Sequence, residues 1–83
     1  MTEQERELIA LGRAIRRLRH ARGLSMASLA TKAGVSAKNL NRIELGQGNP
    51  TLTTLRPLAD ALGVMLSELF LAAEVEAADG GEA

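Results

Sequence analysis

The sequence predicts an all-α chain of five helices. Apolar residues recur at steps of three and four in successive segments, and each segment is bounded by a hydroxyl residue, a glycine, or both. Nowhere do apolar and polar residues alternate over a stretch long enough to form a strand.

The first series runs Leu8, Leu11, Ile15 and Leu18, one face of an amphipathic helix over about residues 3–22, ended by Gly23. Ser25 is placed to cap a second helix, which turns Leu29 and Ala30 inward and stops at Gly34. Ser36 caps a third. Val35 just before it and Leu40 at the fourth helical position form a hydrophobic staple, and Leu40 and Ile43 face the core. GQGNP reads as a loop. Thr51 then opens a fourth helix with Leu52, Leu55, Leu58 and Leu62 inward and Gly63 at its end. Pro57 inside that helix removes a hydrogen bond and crowds the preceding turn, which predicts a bend or a loose first turn. A fifth helix is expected from about Leu66 into LAAEVEAA. Residues 1–76 thus read as one domain whose last helix serves dimerisation, with residues 77–83 as a flexible tail.

A chain of 83 residues is near the size at which one core barely suffices. Fourteen leucines supply most of it, and Phe70 is the sole aromatic. Without cysteine there is no disulfide and no thiolate zinc site, which fits a reducing compartment. MTEQERELIA is acidic and has no apolar run, unlike a secretory signal, and no segment reaches the roughly 18 apolar residues of a spanning helix. A soluble, cytoplasmic protein is expected.

The formal charge is zero, but it is segregated. Residues 12–56 carry nine cations against Glu44 alone, a net +8, while residues 1–11 carry −2 and residues 57–83 carry −6. A basic middle between acidic ends suits a surface that meets a polyanion and a separate end that avoids it.

The third helix carries the chemistry. With Leu40 and Ile43 inward, Ala37, Lys38, Asn41 and Arg42 share the opposite side, and Asn39 lies at its edge. That face has no acid. A DNA major groove admits one helix, and its floor offers guanine O6 and N7 to lysine or arginine, adenine N6 and N7 to asparagine, and a thymine methyl to alanine. The plainer reading is a polar face left to solvent. The very short AGV link between helices two and three favours a steep crossing, which would project the third helix outward.

Residues 15–70 resemble the Cro/phage-repressor (XRE) class of helix-turn-helix DNA-binding domains. The likeness rests jointly on RGLS, LATKAGVS, RIELG, NPTL, LADALGV and LSELF. The small size makes the chain most similar to controller proteins of restriction–modification systems, or to a compact phage or plasmid repressor. The resemblance implies base reading by Ala37, Lys38 and Arg42, with Asn41 beside them. It implies phosphate contacts near Ser25, Asn39, Gln47 and Asn49, joined by Arg17 of the first helix. It also implies a structural ion pair between Arg19 and Glu44. Four positions depart from the family pattern: Met26 stands where relatives commonly carry glutamine, Ala37 replaces a larger polar reader, Met65 replaces a capping serine, and Pro57 is atypical.

Partners follow from the same reading. The expected partner is double-stranded DNA, bound by a homodimer at a pseudo-palindromic operator, with Leu66, Phe70, Leu71 and Val75 as the dimer interface. The competing reading is an antitoxin-type module whose C-terminal helix holds a partner protein. No catalytic residue, metal site, cofactor or small-molecule ligand is implied. His20 stands alone among arginines, and a single phenylalanine is no stacking platform for single-stranded nucleic acid.

Overall fold

The computed structural model describes residues 1–81, which form α1 (Glu3–Ala21), α2 (Met26–Ala33), α3 (Ala37–Glu44), α4 (Leu52–Leu62) and α5 (Leu66–Gly81). There is no strand among the described residues. No helix among the described residues is long and apolar enough to cross a membrane. The centre is aliphatic: Ile15, Leu29, Leu40, Leu58, Leu62 and Leu69, from all five helices, are fully buried. α1 packs against α5 on one side and α3 on the other, and α2 bridges α3 and α4.

Local chemistry sets the boundaries. Thr2 and Glu5 form a capping box, Thr2 Oγ1 accepting from the Glu5 N–H at 3.1 Å and Glu5 Oε1 from the Thr2 N–H at 2.8 Å. These bonds hold the Glu5 carboxyl below the usual glutamate range. The linkage sign follows: this stabilisation is present above the unfolded-state pKa and is lost as pH falls through the folded one. Hydrogen exchange at the Thr2 and Glu5 amides is therefore expected to lose protection on acidification before the rest of α1 does.

Ser25 and Ser36 cap α2 and α3 through Ser28 N–H and Asn39 N–H, each at 3.0 Å. Between them Gly34 takes a left-handed conformation (φ 70°), so that its own N–H reaches the Thr31 carbonyl and the Val35 N–H reaches the Ala30 carbonyl. α2 therefore ends and α3 begins within three residues.

Three details differ from the expectations. The first turn before Pro57 is not loose: Thr54 and Leu55 N–H groups both bond the Thr51 carbonyl, and the helix continues to Leu62. Leu52 is not inward but 62% exposed, because it lies at the first helical position, ahead of the packed face of Leu55, Leu58 and Leu62. α5 begins at Leu66 without a hydroxyl cap, as Met65 implies, and the Glu68 carboxylate accepts from the Met65 N–H at 2.7 Å. The helix then runs past residue 76 to Gly81, through Ala77 and Ala78, which are strong helix formers, so 77–81 of the expected tail are helical. Residues 82 and 83 lie outside the described residues.

Candidate nucleic-acid interface

Two fixed points hold α3 against α1. At the first, Arg19 and Glu44 form a bidentate pair, Nε to Oε2 at 2.7 Å and Nη2 to Oε1 at 3.0 Å, while Nη1 donates to the Leu24 carbonyl at 3.1 Å. Both residues are buried, at 8% and 7% exposure. The bonds to Glu44 hold the guanidinium above its ordinary range, against the opposing effect of burial. The resemblance anticipated this pair; its third bond, which ties in the α1–α2 turn, has no sequence signal.

The second point is Gly12, which sequence reading missed. A Cβ there would meet the Ile43 carbonyl oxygen and come within 2.6 Å of that of Glu44, so glycine is what lets the end of α3 lie on α1. Gly12→Ala sets a helix-propensity gain of about 1 kcal/mol against an overpacking cost of roughly 1–3 kcal/mol. The clashing atoms are backbone and cannot rotate away, so the cost is expected to win and the melting temperature to fall. A rise would show that α3 yields easily. Just beyond α3, Gly46 (φ 77°) presses on Ile9, where a Cβ would come within 2.8 Å of the Ile9 Cα. The loop after α3 is thereby seated on α1.

Fixed in this way, α3 leaves Ala37, Lys38, Asn39, Asn41 and Arg42 all exposed, with Leu40, Ile43 and Glu44 buried behind them. The outward face has no carboxylate, since Glu44 is turned to Arg19. Gln47 and Asn49 are exposed on the following loop, although Asn49 also borders a groove between α1 and α5. Ser25 is exposed, but its hydroxyl is committed to Ser28: it accepts from the backbone N–H and donates to Ser28 Oγ at 3.0 Å. Met26 is half-buried against the core.

Arg17 is exposed and paired with α5. Its Nε lies 3.0 Å from Glu76 Oε2 on α5, with Glu76 10% and Arg17 69% exposed. Five residues beyond Gly12, at about 100° per residue, it falls well round α1 from the edge that meets α3. Arg16, one turn beyond Gly12, is the exposed cation nearer that edge.

The expected dimer residues also separate. Leu66 packs against the core and is not free surface. Phe70, Leu71 and Val75 are exposed. Phe70 lies on the flank of α5 beside the N-terminal half of α1. Leu71 and Val75 line a groove of about 390 Å³ on the other flank, with Leu18, Val64 and Arg17.

A short capped helix pair, its second helix braced from behind and polar in front, defines a helix-turn-helix protein. A family profile described as "Helix-turn-helix domain" matches residues 10–70. The chain belongs to the helix-turn-helix domain family of DNA-binding transcriptional regulators. It is 43% identical over 53 residues to y4dJ, an uncharacterised HTH-type transcriptional regulator of Sinorhizobium fredii, covering 64% of this chain and 69% of that one. Among solved structures it is similar to the restriction–modification controller protein C.AhdI from Aeromonas hydrophila, with a TM-score of 0.73, 37% identity, and 75% and 94% of the two chains covered. It is also similar to the clp gene regulator ClgR from Corynebacterium glutamicum, with a TM-score of 0.87, 26% identity, and 92% and 81% covered. The chain spans less than half the length of several other regulators that it matches.

Proposed function

We propose that the protein is a sequence-specific double-stranded DNA-binding regulator that acts as a homodimer on a pseudo-palindromic operator, of the restriction–modification controller kind. The observation that carries this reading is the state of α3: capped at Ser36, locked at Glu44, and turning outward a fully exposed face with two cations, two asparagines and no acid. Lys38 and Arg42 donate to guanine edges, Asn41 pairs with adenine, and Ala37 meets a thymine methyl. The exposed N-terminus of α2 with Asn39, Gln47 and Asn49 fixes the register on phosphates. Ser25 serves this role by holding the α2 cap, and Arg16 takes the flanking position first expected of Arg17.

Two-fold pairing through the Leu71–Val75 flank places two such helices on half-sites about 34–36 Å apart. The exposure of Leu71 and Val75 also supports the antitoxin-type alternative, in which a different chain covers them. A solution mass of twice the monomer favours the homodimer; a stoichiometric second polypeptide favours the alternative.

Selection of bound fragments from a random DNA pool tests the reading face. Arg42→Ala is expected to cost roughly 1–3 kcal/mol and to relax preference at one base position per half-site. Gln47→Ala is expected to weaken all sequences alike. An Arg42→Ala protein that selects the same sites as the parent would show that α3 does not read bases through this residue.

A further inference from the structure

We infer that the groove between the N-terminal half of α1 and α5 is a docking site for a cationic amphipathic helix of a partner protein. This groove, about 830 Å³ in volume, is separate from both the α3 face and the Leu71–Val75 flank. Its floor is apolar, with Leu8 and Leu11 from α1 and Phe70 from α5. Its rim is acidic, with Glu3 and Glu7 on one wall and Glu74 on the other, and no cation lines it.

Phe70 is the only aromatic in the chain, yet it is 40% exposed here while the core is built from aliphatics. Aromatic side chains are the usual anchors of protein interfaces, because they bury a large area at small entropic cost. The dimensions suit a helix. The lining runs from Glu3 to Leu11 on α1 and from Phe70 to Ala77 on α5, about 12 Å and 10 Å at the helical rise, which matches a stripe of anchors at i, i+3, i+4 and i+7.

Charge decides the occupant. Nucleic acid and an anionic membrane surface are both repelled by three carboxylates. A second copy docked through this groove by two-fold symmetry would bring the same rim against itself, and like charges across an interface are costly. The Leu71–Val75 flank carries Glu68 and Glu76 with Arg17, a net −1 against the groove's −3, so pairing there meets less repulsion. The groove therefore fits a partner with leucine-like anchors flanked by lysine or arginine. Such a partner would touch Asn49 and Pro50 and so sit next to the loop that follows α3.

The probe is a synthetic helical peptide with leucines at i, i+3, i+4 and i+7 and lysines on both flanks, titrated into isotope-labelled full-length protein. The expected result is saturable shifts at Leu8, Leu11, Phe70 and Ala73. Affinity is expected to fall about tenfold or more in Phe70→Ala and in Glu7→Lys/Glu74→Lys. Circular dichroism and solution mass of these variants should match the parent, and so should the DNA affinity of Phe70→Ala, which changes no charge, so that variant separates the result from the DNA-binding reading. Three results would overturn the inference: shifts confined to the Leu71–Val75 flank, equal binding by a peptide with serine for leucine or glutamate for lysine, or loss of the dimer in Phe70→Ala. The last would make the groove a seam between copies.

Discussion

Glu44→Ala is expected to cost about 3–5 kcal/mol of stability, the usual penalty for stripping one partner from a buried ion pair. For a domain of this size that is a fall in melting temperature of more than about 12 °C. The magnitude follows from what remains. Arg19 is 8% exposed, and a guanidinium stays charged at any accessible pH even without its partner. Without Glu44 it keeps one acceptor, the Leu24 carbonyl.

The effect also reaches function. Glu44 is the last residue of α3, so losing it frees the end of the helix that presents Lys38, Asn41 and Arg42. A paired replacement distinguishes net worth from imbalance. Arg19→Met with Glu44→Leu removes both charges and is expected to recover much of the loss, since apolar isosteres often match a buried pair in stability. Thermal melts of the three proteins check this. A loss below about 1 kcal/mol in Glu44→Ala would place the pair with solvent-screened surface bridges.

The helices were legible because the residues that bound them act locally. Ser25, Ser36, Gly23, Gly34 and Gly63 each set a terminus through hydrogen bonds to neighbours within a few positions, so sequence spacing carries the information. The capping box of Thr2 and Glu5 was equally readable and was missed, its T-x-x-E pattern lying at the very start of the chain. The face of α3 was legible because periodicity alone sorts Leu40 and Ile43 from Lys38, Asn41 and Arg42.

What sequence spacing does not carry is a residue's dependence on a partner far along the chain. Leu52 fits the apolar period of α4, but at its first turn no other helix covers it. Leu66 and Phe70 both seemed free for a dimer, yet Leu66 is packed on the core and Phe70 is not. Arg17 belongs to a run of arginines that look alike in sequence, and only the placement of Glu76, 59 residues later, separates it from Arg16. Gly12 gives no turn signal because it sits mid-helix. Its requirement is space for the carbonyls of Ile43 and Glu44, a contact that no local pattern encodes.

Binding to operator DNA is expected to fall by about 10³ between 50 and 200 mM monovalent salt. The estimate starts from the cations that line or flank the proposed reading face, which are Arg16, Lys38 and Arg42 in each protomer. Two-fold pairing makes six. If each, whether it meets a base edge or a neighbouring phosphate, displaces about one condensed counterion, the slope of log affinity against log salt is about −5. Zero net charge on the whole chain does not weaken this expectation. Among the described residues the acids other than Glu44 reside on the first turns of α1 and on α4 and α5, none on the α3 face, and at these ionic strengths charges beyond about 10 Å are largely screened. Lys38→Ala and Arg16→Ala should each reduce the magnitude of the slope by about 2 in the dimer, one contact per protomer. Arg17→Ala should leave it nearly unchanged, because that guanidinium already faces Glu76. Fluorescence anisotropy of labelled operator across the salt range measures all four slopes. A flat response in the parent protein would remove DNA as the ligand of α3, and an equal loss in Arg17→Ala would return that residue to the phosphate-contacting set.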